Sequence, residues 1–176
     1  RIHLLGPVVG ASFSRYNSAR GPRWPVQSYP ASMRADRMSL AQALKTIERG
    51  NFELLFLHLD SADQSGHIHS PRSEAYRADL AFYDEALGKI AERLDPGETV
   101  LCAFGDHGLD DEGFHGTDEP EVREPRFFLW GAPMRRGVHA EIDQKDLAPT
   151  FAEILGLPTP LYSRGRTLIE AFDLPA

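Results

Sequence analysis

The chain has 176 residues, 41% of them hydrophobic and 26% charged, the balance of one globular domain or a large piece of one. Its net charge of −7 argues against nucleic acid as a partner, and no apolar run approaches the ~20 residues of a membrane-spanning helix. The single cysteine, Cys102, rules out an internal disulfide framework and a cysteine-built zinc site.

Charge is unevenly spread along the sequence. Residues 1–38 hold six arginines and one acid, Asp36, while the remainder holds 13 bases and 25 acids. That basic leader suits an anionic substrate or a lipid headgroup, although scattered arginines are more often solvated or paired within the fold. Neither a start methionine nor a signal-peptide pattern is present, so the sequence is expected to open mid-protein. His3 to Val9 is apolar and reads as a strand. Residues 10–38, rich in Arg, Ser and Pro, show no periodicity and read as a long surface loop. Ser12 and Ser14 are ordinary loop serines there, because Gly10-Ala11-Ser12-Phe13-Ser14 lacks the second glycine of a nucleophile elbow.

Ser39 with Gln42 gives a capping-box pattern opening a helix that Gly50 closes. Glu53 to Leu59 is nearly all apolar, as a strand covered on both faces should be. Ser70-Pro71 then caps a second helix, along which Tyr76, Leu80, Tyr83, Leu87, Ile90 and Leu94 form an apolar stripe. Asp95-Pro96-Gly97 stops it, and Glu98 to Phe104 and Arg126 to Trp130 read as further strands. Cys102 falls inside the first of these as a buried, inert thiol. Asp146 is expected to cap a helix through Leu155, ended by Gly156 and Pro158. This alternation predicts an α/β fold with a mainly parallel central sheet and helices on both faces.

Two short runs carry the chemistry. Asp63-Gln64-Ser65-Gly66-His67 follows one strand, and Gly105-Asp106-His107-Gly108 with His115 follows another, at the strand ends where α/β sheets build their ligand sites. Asp63 and His67 are four apart, so a helical turn after the strand would stack them on one face, with Gly66 leaving room beside them. Asp106 and His107 are neighbours, which on a strand point to opposite faces; they can converge only where the backbone swings round, and Gly105 and Gly108 supply that freedom. Gly113-Phe114-His115-Gly116 lets a third imidazole reach back. Five such ligands exceed one tetrahedral zinc but suit two adjacent ions, the usual device for displacement at phosphorus.

Competing readings of nearby residues are plainer. His3, His58 and His139 are taken as structural or exposed, and His69 as a support or substrate contact beside the site. Asp60 lies seven residues from His67, so Asp63 has the better reach. Asp110, Asp111, Glu112 and Asp118 read as a solvated acidic loop. No phosphate-binding glycine loop or dinucleotide fingerprint occurs.

Four stretches in order, residues 59–71, 104–116, 129–133 and 146–160, resemble the alkaline phosphatase superfamily. The likeness is to its type I phosphodiesterase/nucleotide pyrophosphatase branch, to which GPI ethanolamine phosphate transferases and cofactor-independent phosphoglycerate mutases are related. It spans roughly residues 39–170. The resemblance implies an alkaline-phosphatase-like fold and two-metal phosphoryl transfer on a phosphoester substrate. It places Asp63, His67 and His115 on one divalent ion and Asp106 and His107 on the other, zinc being favoured and manganese the alternative. It also implies an aspartate and a threonine or serine nucleophile after a first strand, and residues 1–38 show no strand-Asp-Gly opening or Thr-Pro pair to supply them. The chain is therefore expected to be the C-terminal part of one catalytic domain, inactive alone and holding one ion or none. Within it, residues 1–38 form a strand plus loop and 39–176 the ligand-bearing core. A membrane-associated or extracytoplasmic parent fits the resemblance. Sulfatases rank last, since Cys102 is badly placed as a nucleophile. The alternative from another class is a metal-stabilised binding or scaffold domain without catalysis.

Overall fold

The computed structural model describes residues 2–5, 29–137 and 141–173. The chain divides into two compact units, Arg1–Arg93 with His107–Pro125, and Leu94–Asp106 with Arg126–Ala176.

In the first unit, strands β1 (Ile2–Leu5) and β2 (Leu54–Leu57) pair in parallel, with Ile2 opposite Leu54 and Leu5 opposite Leu57. Parallel neighbours need a crossover, and helix α1 (Tyr29–Arg49) lies on it. The helix starts well before the expected Ser39, which sits inside it, so the capping-box reading of Ser39 and Gln42 is wrong and residues 29–38 are not loop. The reason is the character of the buried stripe. Leu40, Ala43 and Ile47 continue a face that begins with Ser32 and Asp36, both fully buried. Polar residues at the start of a buried face hide its period. Residues 6–28, including the rest of the expected strand and loop with Ser12 and Ser14, lie outside the described residues, as does His139.

Helices α2 (Ser61–His69) and α3 (Glu74–Ala91) follow β2. Ser73, not Ser70, is the N-cap of α3; its side chain accepts from Tyr76 N at 3.1 Å. Ser70 instead terminates α2 with φ 75°, and its hydroxyl accepts from Arg72 N. The buried face of α3 is Asp79, Phe82, Ala86 and Ile90, with Tyr76 and Tyr83 half-buried beside it, whereas Leu80 of the expected stripe is exposed. The Arg37 guanidinium carbon lies 4.8 Å from the Phe82 ring centre, tying α1 to α3.

In the second unit, β3 (Leu101–Phe104) and β4 (Phe127–Trp130) pair antiparallel, Leu101 opposite Trp130. Among the described residues the parallel pairing is that of β1 and β2, so the chain is a mixed α/β structure. Leu168, Ala171 and Phe172 form a core joined by Phe127, Leu129, Met134, Ile142 and Ile154. A 3-10 turn (Gln144–Asp146) leads into α5 (Leu147–Ile154), the short α4 (Pro120–Arg123) belonging to the first unit. As expected, Asp146 is the N-cap residue of α5, but its side chain makes no capping bond to that helix and instead closes a capping box with Asp143, which starts the 3-10 turn. Asp146 is buried because it does more: its second oxygen accepts from Arg166 N at 2.9 Å.

Candidate metal centre

The turn after β2 is helical, so Asp63 and His67 stand one above the other on α2, with His67 Nε2 3.4 Å from Asp63 Oδ2. From the 107–125 segment of the same unit come His107 and His115. His115 Nε2 lies 3.9 Å from Asp63 Oδ1. Its ring centre is 4.1 Å from that of His107 and 5.0 Å from that of His67. Asp63, His107 and His115 each offer one ligand atom, all within 4.8 Å of one another.

The polar chemistry of this group suits a cation. Asp63 Oδ1 is buried and has no hydrogen-bond donor among the described residues, a costly state for a carboxylate oxygen unless something positive approaches it. His67 Nδ1 lies 2.5 Å from the carbonyl oxygen of Gly113, and His107 Nδ1 lies 3.0 Å from that of Gly108. A carbonyl only accepts, so each Nδ1 is the donor in its bond, and Nε2 is the nitrogen left to face a cation. Orientation of an imidazole through its other nitrogen is the usual arrangement at metal sites.

Glycines allow the close approaches. A Cβ on Gly113, at φ +87°, would lie 2.3 Å from the carbonyl oxygen of Gly66, so the His115 loop is pressed against α2 backbone to backbone. A Cβ on Gly108 would meet the Glu121 carbonyl at 1.9 Å, while Gly108 N donates to Val122 O at 2.8 Å. Gly108 is therefore required by contact with α4, not by an unusual φ. The space beside Gly66 is filled by the Leu109 side chain instead of standing open.

Other predicted residues fall as follows. Asp106 belongs to the second unit, past the end of β3, where its carbonyl accepts from Gln144 Nε2 at 2.5 Å. His69 ends α2 and is exposed. Asp60, the rejected rival, is the N-cap residue of α2; burial raises its pKa, offset by a hydrogen bond from Ser32 to its Oδ2. Burial, and then the Asp63 carboxylate, raise the Tyr76 hydroxyl in the same way. Asp110 is no mere solvated acid. Its Oδ1 accepts from Glu112 N at 3.1 Å and Phe114 N at 2.8 Å, shaping the loop that presents His115. The pattern Asp110-x-x-Gly113 was a turn signal in the sequence. Asp111 pairs with Arg72 in an exposed ion pair.

Residues 8–122 match the family described as type I phosphodiesterase / nucleotide pyrophosphatase. The chain is 32% identical over 143 residues to GPI ethanolamine phosphate transferase 3, catalytic subunit, of Mus musculus, covering 78% of this chain and 13% of the relative. It is 34% identical over 142 residues to GPI ethanolamine phosphate transferase 2, catalytic subunit, of Homo sapiens, covering 73% and 14%. It is 30% identical over 138 residues to GPI ethanolamine phosphate transferase 1 of Mus musculus, covering 64% and 15%. The chain thus spans about one seventh of the length of these curated relatives.

Proposed function

The chain belongs to the type I phosphodiesterase / nucleotide pyrophosphatase family of the alkaline phosphatase superfamily, and from that premise we propose that it carries the metal-holding part of a phosphoester-transferring centre. The observation that carries the reading is the meeting of Asp63, His107 and His115 around a buried, donor-less Asp63 oxygen. Following the resemblance, the ligands would be Asp63, His67 and His115 for one divalent ion and His107 for a second, with Asp106 joined to it on sequence adjacency alone; the atoms within 4.8 Å of one another are those of Asp63, His107 and His115, without His67. Zinc suits this oxygen–nitrogen set first and manganese next. Bound there, the ions would supply charge stabilisation for the transferring phosphoryl oxygens. The chain's own part is to aim two imidazoles, through the Gly113 and Gly108 carbonyls, and to bury Oδ1 of Asp63.

An alkaline-phosphatase-like, mainly parallel sheet goes with this reading, supported by the β1–β2 pairing and the strand–helix alternation. The relatives' names make phosphoethanolamine transfer the first reaction to test for the whole protein, with phosphodiester hydrolysis next and membrane association alongside. Among the described residues no helix is long and apolar enough to cross a membrane. No nucleophile is assigned within the chain, so by itself it is expected to take up metal without turning over bis-p-nitrophenyl phosphate. Calorimetric titration of zinc and manganese into the chain, and into Asp63→Asn and His115→Ala, tests the centre. Saturable binding weakened about a hundredfold or more by either change supports it. Equal binding by all three proteins removes it.

A further inference from the structure

The N-terminus of α2 is finished by residues from two other helices. Its own N-cap residue, Asp60, makes no capping hydrogen bond. The backbone amide of Asp60 instead donates to Asp36 Oδ1 at 3.0 Å and Oδ2 at 3.1 Å, and that of Ser61 donates to Asp36 Oδ2 at 2.8 Å. The next amide, Ala62, donates to the Tyr83 hydroxyl at 2.9 Å, and Tyr83 passes its own proton to Asp36 Oδ2 at 3.2 Å. Intrahelical bonding begins at once behind these, with Gln64 N on Asp60 O at 3.2 Å. Three of the amides at the helix start, those of residues 60 to 62, are thus covered by one carboxylate and one phenol.

Asp36 is fully buried, and its carboxylate faces the positive end of the α2 dipole with three donors on two oxygens. Asp63 lies two residues beyond Ser61 and His67 six, about half a turn and just under two turns along the same short helix. Whatever fixes the first turn of α2 therefore fixes the height and rotation of both side chains. We propose that Asp36, relayed through Tyr83, is the positioning residue of the metal centre, setting the α2 frame from which Asp63 and His67 reach the ion. The proposal rests on the metal reading above for its consequence, but its physical content is the fixing of α2.

Two readouts separate the two. Zinc affinity and amide hydrogen exchange over Gln64–His67 are compared in the wild-type chain, Asp36→Ala, Asp36→Asn and Tyr83→Phe. Leu40→Ala is the control, a buried residue on the same helix whose apolar side chain can accept from none of these amides. Asp36→Ala is expected to weaken zinc about tenfold or more and to speed exchange in α2 by a similar factor. Asp36→Asn, which keeps one acceptor oxygen, recovers part of both. Tyr83→Phe, the milder change, shows the same direction and serves if Asp36→Ala does not fold. Leu40→Ala lowers the melting temperature without the selective loss of zinc. Unchanged exchange in α2 in both Asp36→Asn and Tyr83→Phe, or losses in Leu40→Ala matching theirs in both readouts, overturns the positioning role. A wild-type chain that binds no zinc overturns the metal reading instead, and the exchange data still decide whether Asp36 fixes α2.

Discussion

The His67 ring reaches across 46 residues to the carbonyl of Gly113, 2.5 Å from its Nδ1, so the helix carrying one imidazole is tied to the backbone of the loop carrying another. Gly113 is also where the loop touches Gly66 of α2. Gly113→Ala puts a methyl 2.3 Å from the Gly66 carbonyl oxygen and forces a side chain onto φ +87°. The backbone strain alone costs about 1–3 kcal/mol. The expected outcome is a lower melting temperature together with weakened zinc binding, read by thermal unfolding and calorimetry on one preparation.

The acidic loop divides by role. Asp110 accepts two amides of the loop, whereas Asp111 only pairs with Arg72 at the surface, with side chains 68% and 74% exposed. Exposed pairs contribute about 0–1 kcal/mol. Asp110→Ala should therefore weaken metal binding about tenfold by loosening the frame of His115. Asp111→Ala should leave it unchanged. Equal effects from the two substitutions would refute this division.

Burial pushes the Cys102 thiol from its usual value near 9 up to about 12. The folded chain then keeps the proton that an unfolded chain gives up near 9. The stability contribution is complete below about 9 and is lost as pH climbs from there toward about 12. At pH 8 an aromatic disulfide reagent should label the native thiol far more slowly than the thiol in denaturant. Cys102 is half-buried, and equal labelling rates would contradict a shielded, protonated sulfur.

Asp146 makes three bonds at the start of α5, one of which ties it to the segment around Arg166. Its side chain accepts from Asp143 N at 3.1 Å and Arg166 N at 2.9 Å, and its carbonyl accepts from the Thr150 hydroxyl at 2.6 Å. Asp146→Ala removes the two side-chain bonds and should destabilise by about 2–3 kcal/mol, counting charge-assisted bonds at the usual magnitude. Asp143→Ala should cost about 1 kcal/mol as a simple cap loss. Urea unfolding of both variants, compared at equal m-value, checks the order.

Much of the site was readable because its logic is local. The i, i+4 relation of Asp63 and His67 needs only a helix after an apolar strand, and both features are local in the sequence. The strands themselves showed as short apolar runs. What stayed hidden depends on partners distant in sequence. Asp36 lies 24 and 25 residues from the amides it serves, and Ser32 and Asp36 disguised the first turns of α1 as loop. Ser70 and Ser73 are both plausible caps by composition, and only the left-handed turn at Ser70 decides between them. Asp146 was legible as the N-cap residue of α5, but the 3-10 turn before it and its capping box with Asp143 were not.

The first turn of α2 borrows its acceptors from α1 and α3, and a nine-residue helix of this kind has little standing of its own in water. Its ligand spacing is consequently a product of tertiary assembly and comes into being late, when three helices have docked. A peptide cut from around residues 58–70 would keep the carboxylate and imidazole but not their separation, and should grip a cation only as loosely as any flexible Asp–His pair.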